Sequence, residues 1–233
     1  MSHALRRQVV MVYREIGRRG LIAGSSGNVS HRTVDGMIIT PSGCAAETLQ
    51  PESLVPMTLG GDVQGNIAPS SEWAMHAAIY LACPVAQCIV HTHAKHVIAL
   101  SAAGHDFHVV GQNGGRLFEE CVTFDEDDGT ALGKGPGEAM ARALGPRSAM
   151  MLKNHGLLTA GTTIAEAVLM AITMDEEAEI QLLALGATGR LSLPSREGSL
   201  RCKQYVRSEL LTQRGWAYFL RKLERQRPDV FEM

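Results

Sequence analysis

Apolar positions set the first elements of this chain. Leu5, Val9, Val12 and Ile16 recur at helical spacing and Gly20 follows as a stop, which predicts an amphipathic helix over residues 3–19. The Gly/Ser-rich turn 24–30 leads into a short strand, and Met37-Ile38-Ile39-Thr40 is a second strand broken by Pro41-Ser42-Gly43. Residues 53–67 read as a hairpin about Gly60-Gly61-Asp62. Pro69-Ser70-Ser71-Glu72 is a helix start, with Ser70 or Ser71 as the cap and Glu72 in the first turn. That helix carries Trp73, His76, Ala77 and Tyr80 toward Pro84.

A strand at 87–92 and a helix at 94–102 come next, then short strands and the acidic loop 125–129 within 103–130. A helix at 137–144 leads to strands at 148–153 and 157–160. Thr163-x-x-Glu166 is a capping box opening a long apolar helix to about Leu185. Residues 186–198 read as a linker and 200–225 as a final helix. Strands separated by so few residues must pair antiparallel. The pattern therefore predicts a mixed, largely antiparallel central sheet with helices on both faces.

Composition adds little to this picture but excludes several classes. The 233 residues suit one domain, 45% hydrophobic and 20% charged, with a formal net charge of −2. No basic field is present to hold nucleic acid or an anionic membrane surface. No apolar run reaches the length of a membrane span, and the N-terminal stretch lacks a secretory apolar core, so a cytoplasmic protein is expected. Cys44, Cys83, Cys88, Cys121 and Cys202 are scattered and odd in number, which predicts reduced thiols rather than a disulfide framework.

The chemistry begins at His91-Thr92-His93. On a strand, side chains alternate faces, so the two imidazoles point the same way and can grip one cation. A third imidazole from Asn154-His155-Gly156 would complete an open three-His site with a position left for substrate. Imidazole ligands suit Zn, and also Mn, Fe, Co or Ni. Glu72 has two readings: a carboxylate stabilised near a helix N-terminus, or a general acid/base beside the cation. The small-residue turns Gly27-Asn28, Ser42-Gly43 and Ser70-Ser71 are either plain turns or donors for a phosphate or carboxylate. Gly133-Lys134-Gly135-Pro136-Gly137 matches no phosphate-loop spacing and reads as a connector. His76 and His96 fall on predicted helices and read as packed or capping residues.

Taken together, five strings resemble the class II aldolase/adducin-like family, its L-fuculose-phosphate aldolase branch in particular. They are Gly27-Asn28-Val29-Ser30, Ile39-Thr40-Pro41-Ser42-Gly43, Pro69-Ser70-Ser71-Glu72-Trp73, His91-Thr92-His93 and Asn154-His155-Gly156, in the family's order across roughly residues 5–186. The resemblance implies a three-layer α/β/α fold around a central, largely antiparallel mixed sheet, as one domain over 1–233 with a C-terminal helical tail at about 199–233. It implies a homotetramer with interface active sites and one divalent ion per subunit, Zn before Mn, Fe or Co, held by His91, His93 and His155. It makes Glu72 the catalytic acid/base and Asn28, Ser42, Gly43, Ser70 and Ser71 the holders of a substrate phosphate.

The activity implied is carbon–carbon cleavage of a small phosphorylated sugar through a metal-stabilised enediolate. The family's aldolases also use tyrosines, but none lies in 103–130, and Tyr205 is the candidate for the second. The tail at 214–221 is similar to branches that include decarboxylases of hydroxylated aromatic acids. Two lyase readings follow, aldolase first and carboxy-lyase second, with epimerase and dehydratase relatives sharing much of the set. A non-catalytic adducin-like scaffold is a third, which retention of all three histidines and Glu72 argues against.

Overall fold

In the computed structural model, which describes residues 2–125, 133–226 and 228, seven strands form one sheet. They are β1 (Asn28–Thr33), β2 (Gly36–Ile39), β3 (Val55–Met57), β4 (Cys88–Thr92), β5 (Cys121–Phe124), β6 (Ala149–Leu152) and β7 (Gly156–Gly161). The spatial order is β3-β2-β1-β4-β7-β6-β5, and of these neighbours β5 and β6 alone run parallel. The helices are α1 (His3–Arg18), α2 (Trp73–Ala82), α3 (Lys95–Ala102), α4 (Lys134–Leu144), α5 (Ile164–Thr188), α6 (Arg196–Val206) and α7 (Glu209–Gln226).

Strand alternation divides the core in two. Val29, Val90, Met151 and Leu157 face a layer containing Val12 and Ile16 of α1, Val97 of α3 and Val168 and Met174 of α5. Ile39, Ile89, Met150 and Leu158 face Met75 and Ile79 of α2 and Met140 and Leu144 of α4. The expected three-layer α/β/α architecture is therefore present. Burial of both faces explains why β2, β4 and β6 read as near-continuous apolar runs.

Several local expectations change. The 53–67 segment closes its turn, with Thr58 N–H donating to Asp62 O at 2.9 Å, but only a single bridge, Met57 to Val63, forms on the return. Pro56 within β3 has no N–H to extend that ladder. Glu72, not a serine, occupies the N-cap of α2; Ser70 Oγ instead accepts the Glu72 N–H at 3.3 Å, ahead of the helix. Residues 133–137, expected to be a connector, carry Gly133 at the N-cap and the first turn of α4. Pro136 is tolerated in that first turn because no intrahelical N–H is needed there.

Among the described residues between α3 and α4 there is one short 3-10 helix, Asn113–Leu117, and β5, rather than several strands. Of the acidic loop, Asp125 is described and 126–129 lie outside the described residues. At the predicted capping box Thr163 Oγ1 accepts the Glu166 N–H at 3.1 Å, while the Glu166 carboxylate reaches back to the Thr162 N–H at 2.9 Å, one residue before the cap. The expected linker contains the start of α6, capped by Ser195, and the final helix is interrupted at Arg207-Ser208. Arg207 turns inward there to pair with Glu120 and Glu166. The five cysteines are free thiols, and no helix among the described residues is long and apolar enough to cross a membrane.

The loop over 105–115 is hung on α5. The buried Glu177 carboxylate accepts the N–H groups of Val110 and Gly111 at 2.8 Å and of Gly114 at 3.1 Å. Gln181 adds His108 N–H at 3.0 Å and Asp106 O at 2.7 Å. Glu177→Ala leaves three amides without their acceptor, so a loss of about 2–4 kcal/mol is expected. Hydrogen exchange should accelerate across 108–115 while the β4–β7 amides stay protected; unchanged exchange in the loop would contradict this.

Candidate metal centre and active site

Three imidazoles and one carboxylate converge at the end of β4. One ligand atom from each of Glu72, His91, His93 and His155 lies within 4.8 Å of all the others. His91 is the penultimate residue of β4, directly paired with Asn28 on β1 and Leu158 on β7, and is fully buried. His93 follows just beyond the strand on the same side. His155 enters from the three-residue turn between β6 and β7.

The sequence Asn154-His155-Gly156 is what this turn requires. Asn154 takes a left-handed φ of 58°, which asparagine tolerates, and its N–H is held by Ser101 Oγ at 3.0 Å. Gly156 has φ 153°, and any Cβ there would stand 2.1 Å from Thr92 O. Glycine thus lets β7 begin against the end of β4, which brings His155 to His93.

Ring orientations fit a shared cation. His91 Nδ1–H donates to Leu157 O at 2.8 Å, which fixes its tautomer and turns Nε2 inward. That Nε2 is buried and makes no hydrogen bond, although Glu72 Oε2 lies 3.3 Å away. His155 Nε2 sits 3.1 Å from His93 Nε2 and 3.2 Å from Glu72 Oε1. The three ring centroids are 4.6 to 5.1 Å apart, all edge-on. Lone pairs facing one another at such distances need a positive charge between them, a proton or a metal ion. Tetrahedral zinc ligands with Zn–N near 2.05 Å have nitrogens about 3.3 Å apart, so the spacing suits a divalent ion.

Electrostatics point the same way. Burial alone would raise the Glu72 carboxyl, but the positive field of His91 and hydrogen bonds from His155 and Asn28 outweigh it and hold it well below the usual carboxylate range. Burial, then repulsion from His91 and His155, pushes His93 down to about 4. The His93 ring therefore resists protonation, as a neutral ligand should.

The turns named as an anion site are drawn together beside this cluster. Ser70 N–H donates to Thr40 O and Ser42 N–H to Ala68 O, both at 3.0 Å, joining the Ser42-Gly43 and Ser70-Ser71 turns across a bridge at Pro41 and Pro69. Asn28 connects them to the carboxylate: its Nδ2 donates to Ser70 Oγ at 2.9 Å and to Glu72 Oε2 at 2.8 Å. Asn28 and Ser70 are buried, while Ser42, Gly43 and Ser71 are open to solvent. Sequence reasoning did not anticipate the Asn28–Glu72 bond. Its signal is faint: Asn28 lies two residues from Ser30 on one strand face, and Glu72 lies four and eight residues before His76 and Tyr80 on one helix stripe.

Tyr205 is not brought to this cluster within one chain. It lies on α6, 60% exposed, two residues before Arg207. Lys203 and Arg207 pair with Glu120 at the start of β5, and Arg207 also with Glu166 beyond the end of β7. The histidines occupy the other end of those strands. His76 is buried against Asn28 and Ser30, and His96 pairs with Asp175 at 2.9 Å, so neither belongs to the ligand set.

Comparison with known proteins agrees with fold and site. The family model for the Class II Aldolase and Adducin N-terminal domain matches residues 7–182. L-fuculose phosphate aldolase of Escherichia coli (strain K12) is 32% identical over 197 residues, covering 83% of this chain and 89% of that protein. The 5-methylthioribulose-1-phosphate/5-deoxyribulose-1-phosphate aldolase of Rhodospirillum rubrum is 34% identical over 183 residues, covering 76% and 79%. The structure of L-fuculose 1-phosphate aldolase from Glaciozyma antarctica PI12 superposes with a TM-score of 0.86 at 23% identity, covering 97% of this chain and 91% of that one, and shows the shared fold. Fold, site and relatives define an enzyme of the lyase class. The chain belongs to the class II aldolase and adducin N-terminal domain family.

Proposed function

We propose that the protein is a divalent-metal-dependent aldolase acting on a small ketose 1-phosphate. The observation that carries this reading is the buried, unpartnered Nε2 of His91 among two further imidazoles, with the Glu72 carboxylate alongside and the serine turns next to it. An ion held by His91, His93 and His155, zinc before Mn, Fe or Co, supplies a Lewis acid that polarises the substrate carbonyl and offsets the charge left by bond cleavage.

The chain's own groups do the rest. Ser42, Gly43, Ser70 and Ser71 take the phosphate, the hydroxyls of the two joined turns donating to its oxygens, while Asn28, its amide hydrogens used on Ser70 and Glu72, orients that site from behind. The phosphate then fixes the carbon chain relative to Glu72, whose carboxylate moves the proton at the carbon that loses its neighbour. A Schiff base is not needed, and the two lysines nearest the ligands in sequence are at the surface: Lys95 is exposed at the start of α3, and Lys153 pairs with Asp125 at 2.7 Å. A catalytic part for Tyr205 requires a second copy of the chain, in keeping with a homotetramer whose sites lie at interfaces.

The test is a substrate panel on zinc-loaded protein. L-fuculose 1-phosphate, 5-methylthioribulose 1-phosphate and 5-deoxyribulose 1-phosphate are scored for aldehyde and dihydroxyacetone phosphate, and an ortho-hydroxylated aromatic acid for carbon dioxide. Aldehyde release is the expected result; carbon dioxide release alone would overturn the aldolase reading in favour of a carboxy-lyase. Ser71→Ala should then raise KM for the phosphorylated substrate by about tenfold with kcat little changed. An unaltered KM would remove Ser71 from the anion site.

A further inference from the structure

Behind the Glu72 carboxylate a chain of buried polar groups runs away from the site. Asn28 and Ser30 share one face of β1, and Glu72, His76 and Tyr80 follow one another at four-residue intervals along α2. Asn28, Ser30, His76 and Tyr80 are all inaccessible to solvent. Ser30 Oγ stands 2.7 Å from His76 Nδ1 and 2.9 Å from Tyr80 Oη, and His76 Nε2 bonds Asn28 Oδ1. No member of the chain has an unpartnered side-chain polar atom.

The proton positions follow from one another. Both hydrogens of Asn28 Nδ2 are used, on Ser70 Oγ and on Glu72 Oε2. Asn28 Oδ1 must then accept, so His76 carries its hydrogen on Nε2. His76 Nδ1 is left with a lone pair, which takes the Ser30 hydroxyl hydrogen, and Ser30 Oγ in turn accepts from Tyr80, whose oxygen lies 2.9 Å from it against 3.4 Å from the competing acceptor, Gln87 O. Each donor points toward the carboxylate. Turning the Asn28 amide over would set Oδ1 against Glu72 Oε2 and the NH2 group against His76 N–H, two repulsive contacts in a buried site.

We infer that His76 is a positioning residue, which with Ser30 and Tyr80 locks the Asn28 amide so that one group orients both the Glu72 carboxylate and the Ser70 hydroxyl. His76 would thereby couple the proton-transfer group to the anion site without touching substrate. Burial pushes His76 down to about 3, which keeps the ring in the neutral form this relay needs. The inference rests on the reading of Glu72 as the proton carrier, but its structural half can be tested separately.

The experiment uses the full-length, zinc-loaded protein. His76→Leu should lower kcat for L-fuculose 1-phosphate by at least tenfold with zinc content unchanged. His76→Gln, which can return an N–H near the Nε2 position, should recover most of the loss. In an Asn28→Ala background, His76→Leu should cost less than twofold, because its route to Glu72 is already cut. Nitrogen-15 NMR of the holoprotein should show His76 as the Nε2–H tautomer.

Wild-type kcat in His76→Leu, an undiminished effect in the Asn28→Ala background, or an Nδ1–H tautomer would overturn the assignment. Where His76→Leu does not fold, Ser30→Ala, which frees Nδ1, replaces it and should lower kcat in the same direction; wild-type kcat would count against the relay. A wild-type protein that cleaves none of the panel substrates sinks the aldolase reading, whereas the tautomer still decides the relay.

Discussion

His93→Ala should leave the protein folded but unable to retain a divalent ion, with turnover reduced by roughly a thousandfold or more. His93 lies just past the end of β4 and is partly exposed, so its removal opens no cavity in either half of the core. What disappears is one of three nitrogens around a common point, the one facing His155 at 3.1 Å. Loss of even an outer-shell partner commonly weakens a metal site by about 10- to 100-fold, and a direct ligand costs more. Metal content by elemental analysis, beside circular dichroism, separates the outcomes. Native-like dichroism with no bound metal is expected; stoichiometric zinc and full turnover in the variant would remove His93 from the ligand set.

Glu72→Gln should behave oppositely toward the ion. The amide keeps the length of the side chain and an oxygen to accept from Asn28, and the three imidazoles are untouched, so metal content should stay near that of the parent. The proton carrier is gone, and turnover should fall by about 10²- to 10⁴-fold, the usual contribution of a positioned acid or base. KM for the phosphorylated substrate should change little, because the serine turns remain. A variant that turned over at the parent rate would leave Glu72 only a structural part at the start of α2. Loss of metal along with turnover would instead make it a ligand.

Much of this arrangement was legible from residue order. The two-residue spacing of His91 and His93 predicts a shared face, and β4 delivers it. Asn154 and Gly156 mark a turn whose backbone few other residues would adopt. The strands β2, β4, β6 and β7 announce themselves because each carries apolar residues on both faces and is bounded by glycine, proline or polar residues, whereas β1, with Val29 as its one apolar side chain, is marked by the Gly/Ser-rich turn before it.

What escaped reading has physical causes. The return of the 53–67 hairpin fails because Pro56 has no donor, although the turn residues look right. Serine is the commoner cap and the sequence predicts one at the start of α2, whereas Glu72 takes that position and its carboxylate is drawn to the histidines. The break at 207–208 depends on a long-range pairing of Arg207 with Glu120 and Glu166, which no local pattern reveals. The bond between Asn28 and Glu72 joins residues 44 positions apart and is created by sheet register and helix placement together.

His91 is held by a carbonyl of the neighbouring strand, and His155 rides on the tight connection between two rungs of the same ladder. The donor atoms are therefore spaced by hydrogen-bonded backbone rather than by the cation they surround. A chelator should deprive such a protein of its chemistry while sparing its shape, and adding zinc back should restore activity without any refolding step.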